Sequence, residues 1–279
     1  MKKSNELVLL FSLIFIALLL ISSDLLTIIP EINSENVDTT YLDMASVSRS
    51  INEDTNIISD QLNYYKENYN VNINVYDIVE NLNISYQLET IKNSNVIISS
   101  LNQLGTYFST LGSDLFNNFY KYNMQGLEIY LVSEIKNKDK ADSNNADIVG
   151  LFFKKNNKYM IIIKVNSNEN IVNIAFHETM HAIEEYLKMH NEFFVEWDSL
   201  NPKDFSYSQT FYTNQIFSDT IDGNKYYSEV YFIDNYARSS AMEDRARIFE
   251  YLCLGINLQK YPNLAAKATY LQQTLQKYI

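Results

Sequence analysis

Residues 148–189 read IVGLFFKKNNKYMIIIKVNSNENIVNIAFHETMHAIEEYLKM, and this stretch decides the fold class. Ile148–Phe153 and Tyr159–Val165 are apolar and rich in β-branched side chains, with the polar Lys154–Lys158 between them. Such a pair reads as a hairpin with a polar tip. A helix follows, from about Asn170 to Met189, and it carries His177-Glu178-Thr179-Met180-His181. Two imidazoles at i and i+4 stand one above the other on a helix, close enough to share one ion. Glu178 is rotated by about 100° from His177 and can reach a water at that ion. Two of the chain's three histidines lie in this HExxH motif.

Working outward, Val71, Ile73 and Val75 alternate with Asn72 and Asn74 as in a short strand, and residues 55–68 have helical spacing. From Val96 to Tyr122 the apolar residues fall at helical intervals, with breaks expected near Gly105 and Gly112. Leu127, Ile129, Leu131 and Ile135 mark one strand, and a final helical region runs from about Ser240, interrupted near Gly255 and Pro262. The pattern predicts an α+β, helix-rich domain over residues 69–279, with a small β-sheet and a hairpin before the HExxH helix. Residues 30–68 read as a linker and helical spacer. Residues 1–29 read as a signal peptide or N-terminal membrane anchor: Lys2 and Lys3 precede the apolar run Leu7–Ile21, followed by Ser22 and Ser23. Either way the body is expected outside the cytoplasm, secreted or anchored to the cell surface.

Composition narrows the chemistry. The 279 residues include only 6 Gly and 3 Pro, too few for a collagen-like or Pro/Gly-rich disordered chain. The 34 acidic and 22 basic side chains give a net charge of −12, which argues against a nucleic-acid partner. The single cysteine, Cys253, excludes an internal disulfide and a thiolate zinc site, so a metal here needs His and carboxylate ligands. A third His at the metzincin spacing would fall on Leu187, which excludes that class. His190, nine residues past His181, is off the ligand face and reads as a surface or end-of-helix histidine.

The segment Asn235-Tyr236-Ala237-Arg238-Ser239-Ser240-Ala241-Met242-Glu243-Asp244-Arg245-Ala246, taken with HExxH, resembles gluzincin-type zinc endopeptidases of the anthrax lethal factor and Pro-Pro endopeptidase kind. That family carries HExxH on one helix, then a Tyr, and seven residues later a Glu opening a second helix. Tyr236 and Glu243 stand at that interval. The resemblance covers residues 95–254 and is sharp at these two motifs. It departs from the family in a longer stretch between the motifs and in Arg247, where the family often has a second acid.

The resemblance implies a zincin-like metallopeptidase fold that hydrolyses peptides or proteins with one Zn2+ per chain. It implies His177, His181 and Glu243 as metal ligands and Glu178 as general base, then as acid to the leaving amine. Tyr236 would donate to the oxyanion. The residues also allow other readings. Ser240…Glu243 is a capping box, in which Glu243 bonds back to the cap backbone. Glu250, seven residues on and about 10 Å along the helix, is a rival ligand. Asp244 could orient a ligand imidazole or act as the cap. Phe193–Phe211, with Trp197, could be a flap over the cleft or a loop packed by its own aromatics. Glu184 and Glu185 read as solvated helix-face charges. A second class of function is a surface-anchored binding module with little turnover, against which the retained Glu178 argues. A third is a structural metal site, against which the lack of an apparent fourth protein ligand argues.

Overall fold

The computed structural model describes residues 44–76, 85–138, 148–165, 170–211, 216–223 and 226–279. The expected export segment, residues 1–29, lies outside the described residues. Two units divide the chain, Met1–Ser46 and Val47–Ile279. From Val47 on, the second holds the rest of α1 (Met44–Tyr69), then β1 (Asn72–Asn74), β2 (Tyr86–Glu89), α2 (Ser94–Asn118), β3 (Leu127–Val132), β4 (Glu134–Asn137), β5 (Gly150–Lys155), β6 (Lys158–Lys164), α3 (Ile171–Lys188), α4 (Ala241–Cys253) and α5 (Pro262–Leu275). The chain is α+β. Short 3-10 turns, including Trp197–Leu200 and Tyr236–Arg238, join α3 to α4.

Four strands form one sheet in the order β1-β3-β6-β5, with β1, β3 and β6 parallel and β5 antiparallel at an edge. Register places Ile129 beside Ile161 and Ile161 beside Phe152. Alternate residues point to opposite faces. Leu127, Ile129, Leu131, Ile161 and Ile163 therefore join the main core against the helices, while Tyr130, Val132, Met160 and Ile162 meet Tyr86, Leu88 and Phe153 on the other face. Burial on both faces explains why β6 reads as an unbroken apolar run from Tyr159 to Ile163. The β5–β6 turn is tighter than the five-residue tip expected: only Asn156 and Asn157 turn, at φ 50° and 60°. Asn tolerates this left-handed geometry, which suits a two-residue hairpin.

Elsewhere the expectations need correction. The helix expected at 55–68 begins earlier, at Met44, and its buried Ile58 and Tyr65 belong to the main core. Tyr65 donates to Leu101 O at 2.6 Å. In α2 the chain departs from helical geometry only at Gly112, at φ 73°, and Gly105 stays helical. The strand marked by Leu127–Ile135 is two strands. Between them Ser133 turns toward β2, with its N–H donating to Glu89 O at 2.8 Å and its hydroxyl to Thr90 O at 2.9 Å. β2 itself, paired antiparallel with β4, has no counterpart in the sequence reading.

α3 lies at the centre. Asn170 caps it by accepting from Val172 N at 3.0 Å. Most of its circumference is buried, as for a helix inside a domain. Thr179, within the HExxH motif, donates to Ala175 O at 2.7 Å and receives Tyr107 OH of α2 at 2.7 Å. Both oxygens are thus satisfied in a site without water access, and the rotation of α3 is tied to α2. Glu184 is not the solvated charge expected. It is buried, and Arg245 of α4 grips it with two bonds, Nε at 2.7 Å and Nη2 at 3.1 Å. Glu185 stays at the surface beside Lys188. Among the described residues, no helix is long and apolar enough to cross a membrane.

Candidate metal site

One helical turn separates His177 and His181, whose ring centroids lie 5.0 Å apart. Opposite them, Ser240 caps α4 and accepts from Glu243 N at 3.2 Å. The cap holds the backbone, while the Glu243 carboxylate leans away from it toward α3. Its Oε2 lies 2.9 Å from His177 Nε2 and 3.5 Å from His181 Nε2. The ligand atoms of His177, His181 and Glu243 all fall within 4.8 Å of one another, so this group could hold a metal ion.

Two observations test that fit. Ligands at about 2.0–2.1 Å on a tetrahedral ion stand about 3.3 Å from each other, close to the separations seen here. The donor set, two imidazole nitrogens and one carboxylate oxygen, is that of a three-ligand site with a fourth position open. The residues fit a borderline metal such as zinc.

The electrostatics follow from burial. Burial pulls the His177 imidazole down, but Glu243 and Glu250, with the nearby Glu178, outweigh it and raise the group to about 9. Burial pushes Glu243 up, and the two imidazoles overcome this and hold it well below the usual carboxylate range. Glu178 moves the other way. Burial raises it, and the two imidazoles only partly offset this, with Glu243 adding to the rise. Two acids beside the imidazoles thus differ: Glu243 is a strongly ionised pair partner, and Glu178 is a carboxyl whose proton affinity is raised.

Gly150 sets the position of Glu178. A Cβ at this first residue of β5 would stand 2.5 Å from Glu178 Oε1 and 2.6 Å from Ile174 Cγ2. A larger residue where the edge strand meets the helix would have to displace Glu178 or Ile174. The only signal of this in the sequence is a lone Gly in a run of bulky residues.

Tyr236 lies in the site. Its ring centroid is 5.5 Å from that of His177, and the side chain is half-buried. The turn that carries it is fixed on both sides: Ala237 N–H donates to Asp234 Oδ1 at 2.9 Å, and Ser239 hydroxyl to Tyr236 O at 2.7 Å. Arg238 locks the turn further, 3.3 Å from Asp219 and 3.9 Å above the Phe217 ring.

The other residues weighed in the sequence part company here. Glu250 approaches the opposite side of the His177 ring, with Oε2 3.7 Å from Nδ1, so it lies outside the converging set. Asp244 neither caps the helix nor touches an imidazole. It is wholly buried, and its Oδ2 receives Lys267 Nζ at 2.7 Å, Tyr207 OH at 2.7 Å and Trp197 Nε1 at 3.0 Å. Burial raises Asp244 and lowers Lys267, each partly offset by the other's charge. Trp197 is thereby packed into the interior, as a self-packed loop requires. His190 packs just past the end of α3 against Tyr186, edge-on, and Tyr278, tilted, with its ring centroid 4.9 Å from each. Compared with protein-family models, with curated proteins and with solved structures, the chain matches none.

Proposed function

We propose that the chain is an exported zinc-dependent endopeptidase of zincin-like fold, acting on peptides or proteins. The observation that carries this reading is the meeting of His177, His181 and Glu243 at one point, with Glu178 on the same helical turn. Export rests on the sequence alone: the basic start, the apolar run and the small residues after it. The net charge of −12 argues against a nucleic-acid partner.

His177, His181 and Glu243 would hold the ion. The chemistry that zinc supplies when bound is Lewis acidity, which makes water nucleophilic near pH 7. Glu178 takes a proton from the attacking water onto its carboxylate as oxygen joins the scissile carbonyl carbon. It then delivers that proton to the amine nitrogen as the C–N bond breaks. Its raised affinity for protons suits both steps. The Tyr236 hydroxyl donates to the oxyanion. The substrate backbone adds to the outer edge of β5, with which no strand pairs among the described residues. That edge begins at Gly150, beside Glu178.

The test is metal analysis and peptide-library cleavage of the purified chain beside Glu178→Gln. The expected result is zinc in both proteins, with cleavage reduced by about 10²–10⁴-fold in the variant. A wild-type chain that holds no zinc contradicts the proposal. A zinc-loaded chain that cleaves no peptide points instead to a binding module.

A further inference from the structure

Behind the converging ligands runs a second line of charge, formed by residues with no assigned role. Glu250 is a buried carboxylate, its side chain 3% exposed, facing His177 Nδ1 at 3.7 Å. Arg247, one turn earlier on α4, bonds Glu250 through Nη1. The other guanidinium nitrogen, Nη2, meets Asp234 Oδ2 at 2.6 Å. Asp234 in turn accepts from Ala237 N at 2.9 Å, the residue after Tyr236. A continuous path therefore joins the backbone of the Tyr236 turn to the imidazole of His177.

We propose that Asp234, Arg247 and Glu250 form a positioning relay that sets the His177 ring and the Tyr236 turn together. The proposal rests on the endopeptidase reading above. An imidazole that binds a metal through Nε2 carries its proton on Nδ1. Glu250 is the carboxylate facing that side, at 3.7 Å, an ion-pair distance rather than a hydrogen bond, and a carboxylate there favours the Nδ1–H tautomer and orients the ring. A buried carboxylate needs a cation, which Arg247 supplies. The planar guanidinium has two ends and so can hold two carboxylates in fixed relation, which a Lys cannot. The arrangement is one-sided. His181 Nδ1 is buried with no hydrogen-bond partner, so His177 is the imidazole held from behind. None of the three residues touches the reacting atoms; they act through His177 and Tyr236.

The test measures zinc affinity by competition with a chelator, together with kcat and KM, for the full chain and for Arg247→Met, Arg247→Lys and Asp234→Asn. Loss of an outer partner of a metal ligand lowers metal affinity by about 10–100-fold. Arg247→Met is expected to show that loss and a fall in kcat, with KM changed less than about threefold, because substrate contacts are untouched. Arg247→Lys keeps the charge and is expected to fold and to recover part of the affinity. Asp234→Asn is expected to act mainly on kcat, through the Tyr236 turn. Zinc affinity and kcat of a folded Arg247→Met within about twofold of wild type would overturn the relay while leaving the endopeptidase reading intact. A wild-type chain that binds zinc but cleaves nothing overturns that reading, and the affinities still decide whether Arg247 positions His177.

Discussion

Glu243 and Asp244 are consecutive acids in the first turn of α4, and they face two different regions of the molecule. Glu243 looks toward α3, partly exposed, with its carboxylate between two imidazoles. Asp244, about 100° further round the helix, looks toward α5 and is wholly enclosed by Lys267, Trp197 and Tyr207. The partners of Glu243 are the two imidazoles, able to share an ion with it. The partners of Asp244 are an ammonium and two neutral donors, all at Oδ2, none of which could share an ion with it, while Oδ1 is buried without a hydrogen-bond partner. The contrast teaches that an acid's type and position on a helix do not decide its role. What decides is whether the facing groups leave a donor set open.

The sharpest way to break this comparison is Asp244→Asn. It strands the Lys267 charge in the interior, where removal of one partner of a buried pair costs about 3–5 kcal/mol. Urea unfolding of the metal-free protein is expected to show that loss, while the folded fraction keeps its zinc affinity. A smaller effect, read mainly in the chemistry, is expected from Gly150→Ala. The added methyl must push Glu178 or Ile174 aside. An ångström of misplacement can cost about 10²-fold, so kcat should fall by about 10–100-fold, with zinc affinity within about threefold. Stability should fall by about 1–3 kcal/mol from overpacking. A kcat equal to wild type would show that Glu178 has room to move.

Adjacent acids recur on α3 and supply the smallest effect. Glu184 is enclosed by Arg245, whereas Glu185 lies at the surface beside Lys188. Glu185→Gln is expected to change unfolding free energy by no more than about 0.5 kcal/mol. A larger loss would mean that exposure is a poor guide to the role of these pairs.

What could be read from the sequence was local. The hairpin and α3 announce themselves through β-branched runs and a motif five residues long. The start of α4 is marked by Ser240 and Glu243, three residues apart. What could not be read depends on partners far along the chain. Glu184 looks like a surface acid until Arg245, 61 residues away, is brought to it. Asp244 looks like a cap or an imidazole partner until Lys267 is buried beside it, and lysine is rarely buried without a partner. β2 is four residues long with mixed polarity, and its pairing with β4 crosses a long stretch of chain. Tyr236 was singled out by its interval to Glu243, not by any property of its own among 22 tyrosines. Gly150 carried a constraint visible only once β5 lay across α3.

The most direct measurement is the zinc affinity of three folded proteins: wild type, Glu243→Gln and Asp244→Asn. Neutral amides are poor zinc ligands, and loss of one of three ligands should weaken binding by at least about 100-fold. About one zinc per chain is therefore expected in wild type and in Asp244→Asn, and a collapse of affinity in Glu243→Gln alone. Equal affinity in wild type and Glu243→Gln would contradict Glu243 as a ligand.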